Sequence, residues 1–84
     1  MELLDFYADW CGPCQMLKPI VEEFEKKYPE IKVTRINIDE NEEMAEKYGV
    51  SGIPCLVALK DGEEVAREVG VMPLKKIEKL MRAR

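Results

Sequence analysis

Residues 2–17 read ELLDFYADWCGPCQML, and this stretch decides the fold. Its first part, residues 2–7, is apolar and aromatic, which is typical of a buried strand. From the CGPC tetrapeptide at residues 11–14 onward, apolar residues recur at helical spacing. A buried strand that leads directly into a helix begins a βαβ unit, in which the two strands lie parallel and the crossover is right-handed.

Beyond this first helix, the sequence predicts a second strand and a short second helix. Residues 31–38 form the strand. Asp39, with Glu42 three residues later, resembles a capping box that would start the helix. Gly49 is of the residue type that commonly follows the last turn of a helix, so we expect this helix to end there.

The C-terminal part of the chain predicts a hairpin and a third helix. Residues 53–59 are an apolar strand, and Asp61-Gly62 is a hairpin signal that makes the next strand its antiparallel neighbour. Pro73 stands at the first position of the last helix. The order β-α-β-α-β-β-α predicts an α/β fold, with a four-stranded mixed sheet and helices on both faces, in a single domain over residues 1–84.

The composition argues against several functions. The 84 residues include 13 basic and 17 acidic side chains, the formal net charge is -4, and the basic residues are scattered. Nucleic acid and anionic membrane surfaces are therefore poor partners. The first ten residues carry three carboxylates and no uninterrupted apolar run, so we expect neither a signal peptide nor a membrane span. Three cysteines, two of them close together, make a poor disulfide scaffold, which favours the cytoplasm.

Cys11 and Cys14 carry the chemistry that the pattern predicts. Residues at this spacing on a helix are about 5 to 6 Å apart, which matches the separation that a disulfide needs. The unpaired N–H groups and the positive end of the dipole at a helix N-terminus favour a thiolate. Cys11 lies nearest the helix end and is the better-placed nucleophile. Cys14 would then attack the mixed disulfide that Cys11 forms.

Two other interpretations of the pair are half of a zinc site and an incidental structural arrangement. Zinc needs four ligands, typically Cys and His. The chain has no His and only Cys55 as a further cysteine, so a closed site would have to recruit carboxylates or a second subunit. The C-x-x-C spacing in a cytosolic βαβ context favours redox chemistry instead, and we expect no metal. The sequence also shows no cofactor motif, so electrons must come from a partner protein.

The stretch Trp10-Cys11-Gly12-Pro13-Cys14 resembles the active-site sequence of the thioredoxin family. Further similar segments are DFYAD at 5–9, Pro19, INID at 36–39, YGV at 48–50, GIP at 52–54, DG at 61–62 and VG at 69–70. The resemblance implies a thioredoxin-like fold without the family's first strand and helix. It implies a disulfide oxidoreductase that reduces disulfides in protein substrates, receives electrons from a thioredoxin reductase, and works as a cytoplasmic monomer.

The resemblance also assigns roles within the site. It implies that Cys11 attacks, that Cys14 resolves, and that Asp5 is a buried carboxylate that assists proton transfer to and from Cys14. A lone Asp in an apolar strand should have a raised pKa when buried, which suits a general base. The alternative for Asp5 is a strand-end residue bonded to the backbone. Arg35 stands where many members have lysine, and its pairing with Asp5 would lower the pKa of Asp5.

Pro54 matches the family's cis-proline, and Ile53 before it would offer backbone hydrogen bonds to an extended peptide. From the residues alone, Pro54 is a simple strand-start proline. The apolar docking surface implied by the resemblance consists of Trp10, Gly12, Pro13, Ile53, Pro54, Val69, Gly70 and Val71. Cys55 is either a buried, inert thiol or a third redox thiol near the pair.

Two rival functions belong to other classes. One is a redox-inert binding module that docks partners on the same apolar surface, and the presence of Asp5, Cys11 and Cys14 together argues against it. The other is a dedicated electron carrier to a single partner enzyme. Reduction of unrelated disulfides would weaken this second alternative.

Overall fold

The computed structural model describes residues 1–82 of the chain. Its elements are β1 (Glu2–Tyr7), α1 (Gly12–Lys27), β2 (Lys32–Asn37), α2 (Glu42–Lys47), β3 (Cys55–Lys60), β4 (Glu63–Val69) and α3 (Leu74–Met81). The strands form a four-stranded sheet in the order β2-β1-β3-β4. β1 is parallel to β2 and antiparallel to β3, and β3 is antiparallel to β4. The predicted element order and mixed sheet are therefore confirmed.

The sheet separates two apolar cores, because successive side chains of a strand point to opposite faces of a sheet. Leu3 and Leu56 pack on the face that α1 and α3 cover. Phe6 and Val57 pack on the other face, where Met44 of α2 lies against them. The helices cover both faces, as the sequence predicts. The most buried strand is β3, which lies between β1 and β4 and keeps only Lys60 exposed.

The capping box predicted at Asp39 is wrong. The residue that precedes α2 is Asn41, and its side chain makes no capping hydrogen bond. α2 begins at Glu42, so Asp39 lies too early in the chain to cap it, and its carboxylate accepts a hydrogen bond from the Trp10 indole instead. The predicted end of this helix is confirmed, since Gly49 has a φ of +61°, a conformation that glycine adopts readily.

The predicted hairpin between β3 and β4 is confirmed. Asp61 and Gly62 have φ values of 52° and 82°, and two positive φ values in a two-residue loop are the pattern of a type I′ turn. α3 begins one residue later than predicted, with Pro73 as its N-cap. Within residues 1–82, no helix is both long enough and apolar enough to span a membrane.

Candidate active site

Cys11 is the N-cap of α1. Its backbone is extended, with φ -88° and ψ 108°, and its Sγ accepts a hydrogen bond from the Cys14 N–H at 3.2 Å. A cap position usually holds an oxygen acceptor, and here the sulfur takes that place. Because this N–H and the positive end of the helix dipole lie at the sulfur, they favour its thiolate form when the disulfide is open.

Cys14 lies one turn into the helix and is bridged to Cys11, with the two Cα atoms 5.2 Å apart. This separation matches the predicted helical spacing. Both cysteines are buried with Ala8, and Ile38 and Ile53 pack against them. Among residues 1–82, no group of three or more His, Cys, Asp or Glu side chains could hold a metal ion.

Asp5 lies in the middle of β1 and is only 5% exposed. A cavity of about 150 Å³ adjoins it, lined by Asp5, Tyr7, Asp9, Cys14, Gln15, Lys18 and Arg35. Burial raises the pKa of the Asp5 carboxyl from 3.8 to about 6. Its Oδ1 has no hydrogen-bond partner within residues 1–82, which does not fit a strand-end carboxylate bonded to the backbone. Asp5 can therefore exchange a proton near neutral pH, in a cavity that it shares with Cys14.

Arg35 is the register partner of Asp5 on the neighbouring strand β2. Its Nε is 3.9 Å from Asp5 Oδ2, which is an ion pair but is too long for a hydrogen bond. Its Nη2 donates to Glu25 Oε1 at 3.1 Å. The positive charge lowers the pKa of Asp5, as expected, but burial has the larger effect and leaves this pKa raised.

The predicted docking surface is largely open around the disulfide. Trp10 is 70% exposed and Val69 is 59% exposed. The other members also reach the surface to different extents: Gly12, Pro13 and Val71 are exposed, and Ile53 and Gly70 are half-buried. The structure thus brings these residues to the same end of the molecule as Cys11.

Pro54 departs from this surface. Its side chain is less than 2% exposed, so its ring adds little area to the apolar docking surface, and its role in substrate binding stays a prediction. Its ring is covered because it leads into β3, the most buried strand. The Pro54 carbonyl accepts a hydrogen bond from the Gly70 N–H at 2.8 Å, and the Ile53–Pro54 bond is cis. No turn or loop hydrogen bond within residues 1–82 uses the backbone of Ile53.

Cys55 lies on the opposite face of the sheet from Asp5. It packs with Phe6 and Val57 in the core beneath α2 and is 1% exposed. Burial raises the pKa of its thiol, and it is not bridged. These features favour a buried, inert thiol over a third redox thiol.

Sequence reasoning missed Asp39 as a site residue. The Trp10 Nε1–H donates to Asp39 Oδ2 at 2.8 Å, so the carboxylate fixes the exposed indole beside Cys11. The available signal was topological. Since β1 and β2 are parallel, the residues that follow them meet at the same edge of the sheet, and Trp10 and Asp39 both follow these strands.

A disulfide that can open and close lies at a helix N-terminus, beside a buried carboxyl. This arrangement gives the α/β fold the groups that a thiol-disulfide oxidoreductase needs. The comparison with protein families agrees, because the model described as Thioredoxin matches residues 1–83. The chain belongs to the thioredoxin family.

Individual relatives support this assignment. The chain is 55% identical to a thioredoxin of Chlamydia pneumoniae over 82% of its own length and 68% of the relative's. It is 46% identical to the Bacillus subtilis thioredoxin over 94% and 77% of the two chains. The X-ray structure of Fasciola hepatica thioredoxin superposes with a TM-score of 0.90 at 41% identity, covering 99% and 80% of the two chains.

The family fixes the general activity. The chain is a disulfide oxidoreductase with a dithiol redox pair, Cys11 and Cys14. Thioredoxins act on disulfide substrates and are reduced by thioredoxin reductase.

Proposed function

We propose that this chain is a general reductant of protein disulfides, with Cys11 as the nucleophile, Cys14 as the resolving thiol and Asp5 as the proton acceptor. The observation that carries the proposal is the position of the Cys11 sulfur as the cap of α1, where the Cys14 N–H binds it. We also propose that it works as a single domain and a monomer in the cytoplasm, where a thioredoxin reductase would return it to the dithiol form.

The first step is attack on the substrate. The Cys11 thiolate attacks one sulfur of the substrate disulfide, a bond forms between Cys11 Sγ and that sulfur, and the other substrate sulfur leaves as a thiolate. The helix N-terminus lowers the free energy of the Cys11 thiolate, which favours the ionised sulfur as the attacking group. The product is a mixed disulfide between Cys11 and the substrate.

The second step is resolution by Cys14. The Cys14 thiol gives its proton to the Asp5 carboxylate across the shared cavity, and its thiolate attacks Cys11 Sγ. The Cys11–Cys14 disulfide forms, and the second substrate sulfur leaves as a thiolate. The substrate has gained two electrons. The reductase must supply two electrons to reopen the pair, and the one proton held by Asp5 can return to Cys14, which restores the Cys11 thiolate and the Cys14 thiol.

Substrates would bind as extended peptides beside the disulfide. The backbone of Ile53 is free of turn and loop hydrogen bonds within residues 1–82 and can pair with a substrate backbone. The exposed side chains of Trp10 and Val69 supply apolar contact on either side. Backbone pairing and apolar contact depend little on sequence, which suits a general reductant.

Asp39→Asn is expected to weaken substrate binding through Trp10. The substitution removes the charge that strengthens the bond to the indole, so the indole is less well fixed in the docking surface. We expect KM for a protein disulfide to rise by up to about fivefold with kcat nearly unchanged, since one such bond contributes about 1 kcal/mol. Trp10 is the single tryptophan of the chain, so its fluorescence reports the same change directly. An unchanged spectrum and KM would contradict this role.

The proposed function is tested by dithiothreitol-driven reduction of insulin disulfides, followed as precipitation over time. We expect the native protein to accelerate it, and to reduce a second, unrelated protein disulfide as well. Acceleration with insulin but with no other substrate would favour a dedicated electron carrier. A folded protein that accelerates neither, and shows no dithiol/disulfide transition in a glutathione buffer, would be a binding module.

A further inference from the structure

Arg35 is surrounded by three carboxylates. Its Nε is 3.9 Å from Asp5, its Nη1 is 4.0 Å from Glu22 and its Nη2 is 3.1 Å from Glu25. Only the contact with Glu25 is a hydrogen bond. The guanidinium is therefore held most closely by Glu25 of α1.

The separation between Arg35 and Asp5 lowers the stability of the fold. Arg35 Nε and Asp5 Oδ1 are both buried, and neither has a hydrogen-bond partner within residues 1–82. A buried donor and a buried acceptor of opposite charge stabilise the fold more when they bind each other than when both stay unpaired. The hydrogen bond from Arg35 to Glu25 competes with that pairing, because it binds the same guanidinium.

We propose that Glu25 is a positioning residue for the dithiol exchange: it holds the Arg35 guanidinium away from Asp5, so that the Asp5 carboxylate stays free to take the proton of Cys14. This inference rests on the proposed role of Asp5 as the proton acceptor. Glu25 itself is at the surface, with 41% of its side chain exposed, and it touches neither substrate nor sulfur.

The charges around Asp5 define the direction of the effect. Lys18 and Asp9 line the cavity with opposite signs, the Tyr7 side chain and the bridged Cys14 also line it, and Arg35 faces Asp5 from β2. Glu25 raises the pKa of Asp5 through its charge, and Arg35 lowers it. Without Glu25, Arg35 can close on Asp5, and both changes lower the pKa of Asp5.

The inference is tested with Glu25→Gln in the oxidised protein, by NMR titration of ¹³C-labelled aspartate carboxyls. We expect the midpoint of Asp5 to fall by about one pH unit, because a guanidinium brought into contact typically lowers a carboxyl pKa by one unit or more. Glu23→Gln is the matched control. Glu23 is exposed on the same helix, takes part in no ion pair within residues 1–82, and loses the same charge.

A double substitution separates positioning from simple charge. Arg35→Gln should raise the midpoint of Asp5. In that background, Glu25→Gln should produce less than half of the shift that it produces alone, since no guanidinium remains to be released. An equal shift in both backgrounds would show that Glu25 acts by its own charge, and would overturn the positioning role.

Kinetics links the titration to the reaction. In Glu25→Gln, resolution of a preformed mixed disulfide should slow severalfold at neutral pH, because Asp5 becomes a weaker base. The acid limb of the pH profile of the resolution rate should also move to lower pH. An unmoved midpoint in Glu25→Gln would overturn the inference about Glu25 while leaving the role of Asp5 intact. A resolution rate that does not respond to Asp5→Asn would instead refute the proposed role of Asp5.

Discussion

Cys11→Ser is expected to abolish the reduction of insulin disulfides, whereas Cys14→Ser is expected to trap the substrate on the protein. Serine at position 11 offers no thiolate, so no mixed disulfide forms and turnover falls by a factor on the order of 1,000. Serine at position 14 leaves the cap sulfur able to attack but removes the thiol that resolves the intermediate. The two variants therefore fail at different steps.

Non-reducing gel electrophoresis distinguishes these two failures. Cys14→Ser mixed with a disulfide substrate should give a covalent complex that dithiothreitol separates by reduction, and Cys11→Ser should give none. Cys55→Ala is the control, because this thiol lies buried on the other face of the sheet and should leave turnover unchanged. A covalent complex formed by Cys11→Ser through Cys14 would reverse the proposed roles of the two sulfurs.

Local patterns predicted much of this molecule. The strand at residues 2–7 and the helix after it follow from apolar spacing, and the Asp61-Gly62 turn follows from the need for two positive φ values. The cysteine pair follows likewise, because a spacing of three residues on a helix sets the distance between two Cα atoms. All of these features depend on residues close together in the chain.

Features that depend on distant residues were harder to predict. The Trp10 bond to Asp39 spans 29 residues and the Arg35 bond to Glu25 spans 10, and both need the finished sheet before the partners meet. The capping box at Asp39 failed because residues 38–40 form a turn and α2 begins only at Glu42. The burial of Pro54 depends on the position of β3 between two other strands, which a local apolar run does not reveal.

Asp5→Asn is expected to make the protein more stable at neutral pH. The folded state raises the pKa of Asp5 from 3.8 to about 6, so it binds this proton more tightly than the unfolded chain does. Between about pH 4 and pH 6, unfolding therefore releases a proton, and the free energy of unfolding falls as the pH rises. At pH values above the pKa of Asp5 in the folded state, the ionised carboxylate lowers the free energy of unfolding by up to about 3 kcal/mol. Each of the roughly two pKa units contributes about 1.4 kcal/mol. A neutral asparagine removes this cost.

Urea denaturation at about pH 4 and pH 7.5 measures this effect. The native protein should lose stability between the two values, and Asp5→Asn should lose much less and exceed the native protein at the higher pH. Asp61→Asn is the matched control, since Asp61 is exposed in the β3–β4 turn and asparagine tolerates its positive φ. A variant that is less stable than the native protein at pH 7.5 would show that the Asp5 carboxylate stabilises the fold.

The same substitution is expected to slow catalysis, and a gain in stability together with a loss of rate would identify Asp5 as a functional group. Without a carboxylate beside Cys14, the resolving thiol must give its proton to water in the cavity, and we expect resolution of the mixed disulfide to slow on the order of 100-fold. Attack by Cys11 should be little affected, since the helix N-terminus stabilises its thiolate. A buried ionised group that lowers stability while raising the rate is retained for its chemistry, since packing alone would favour its neutral counterpart.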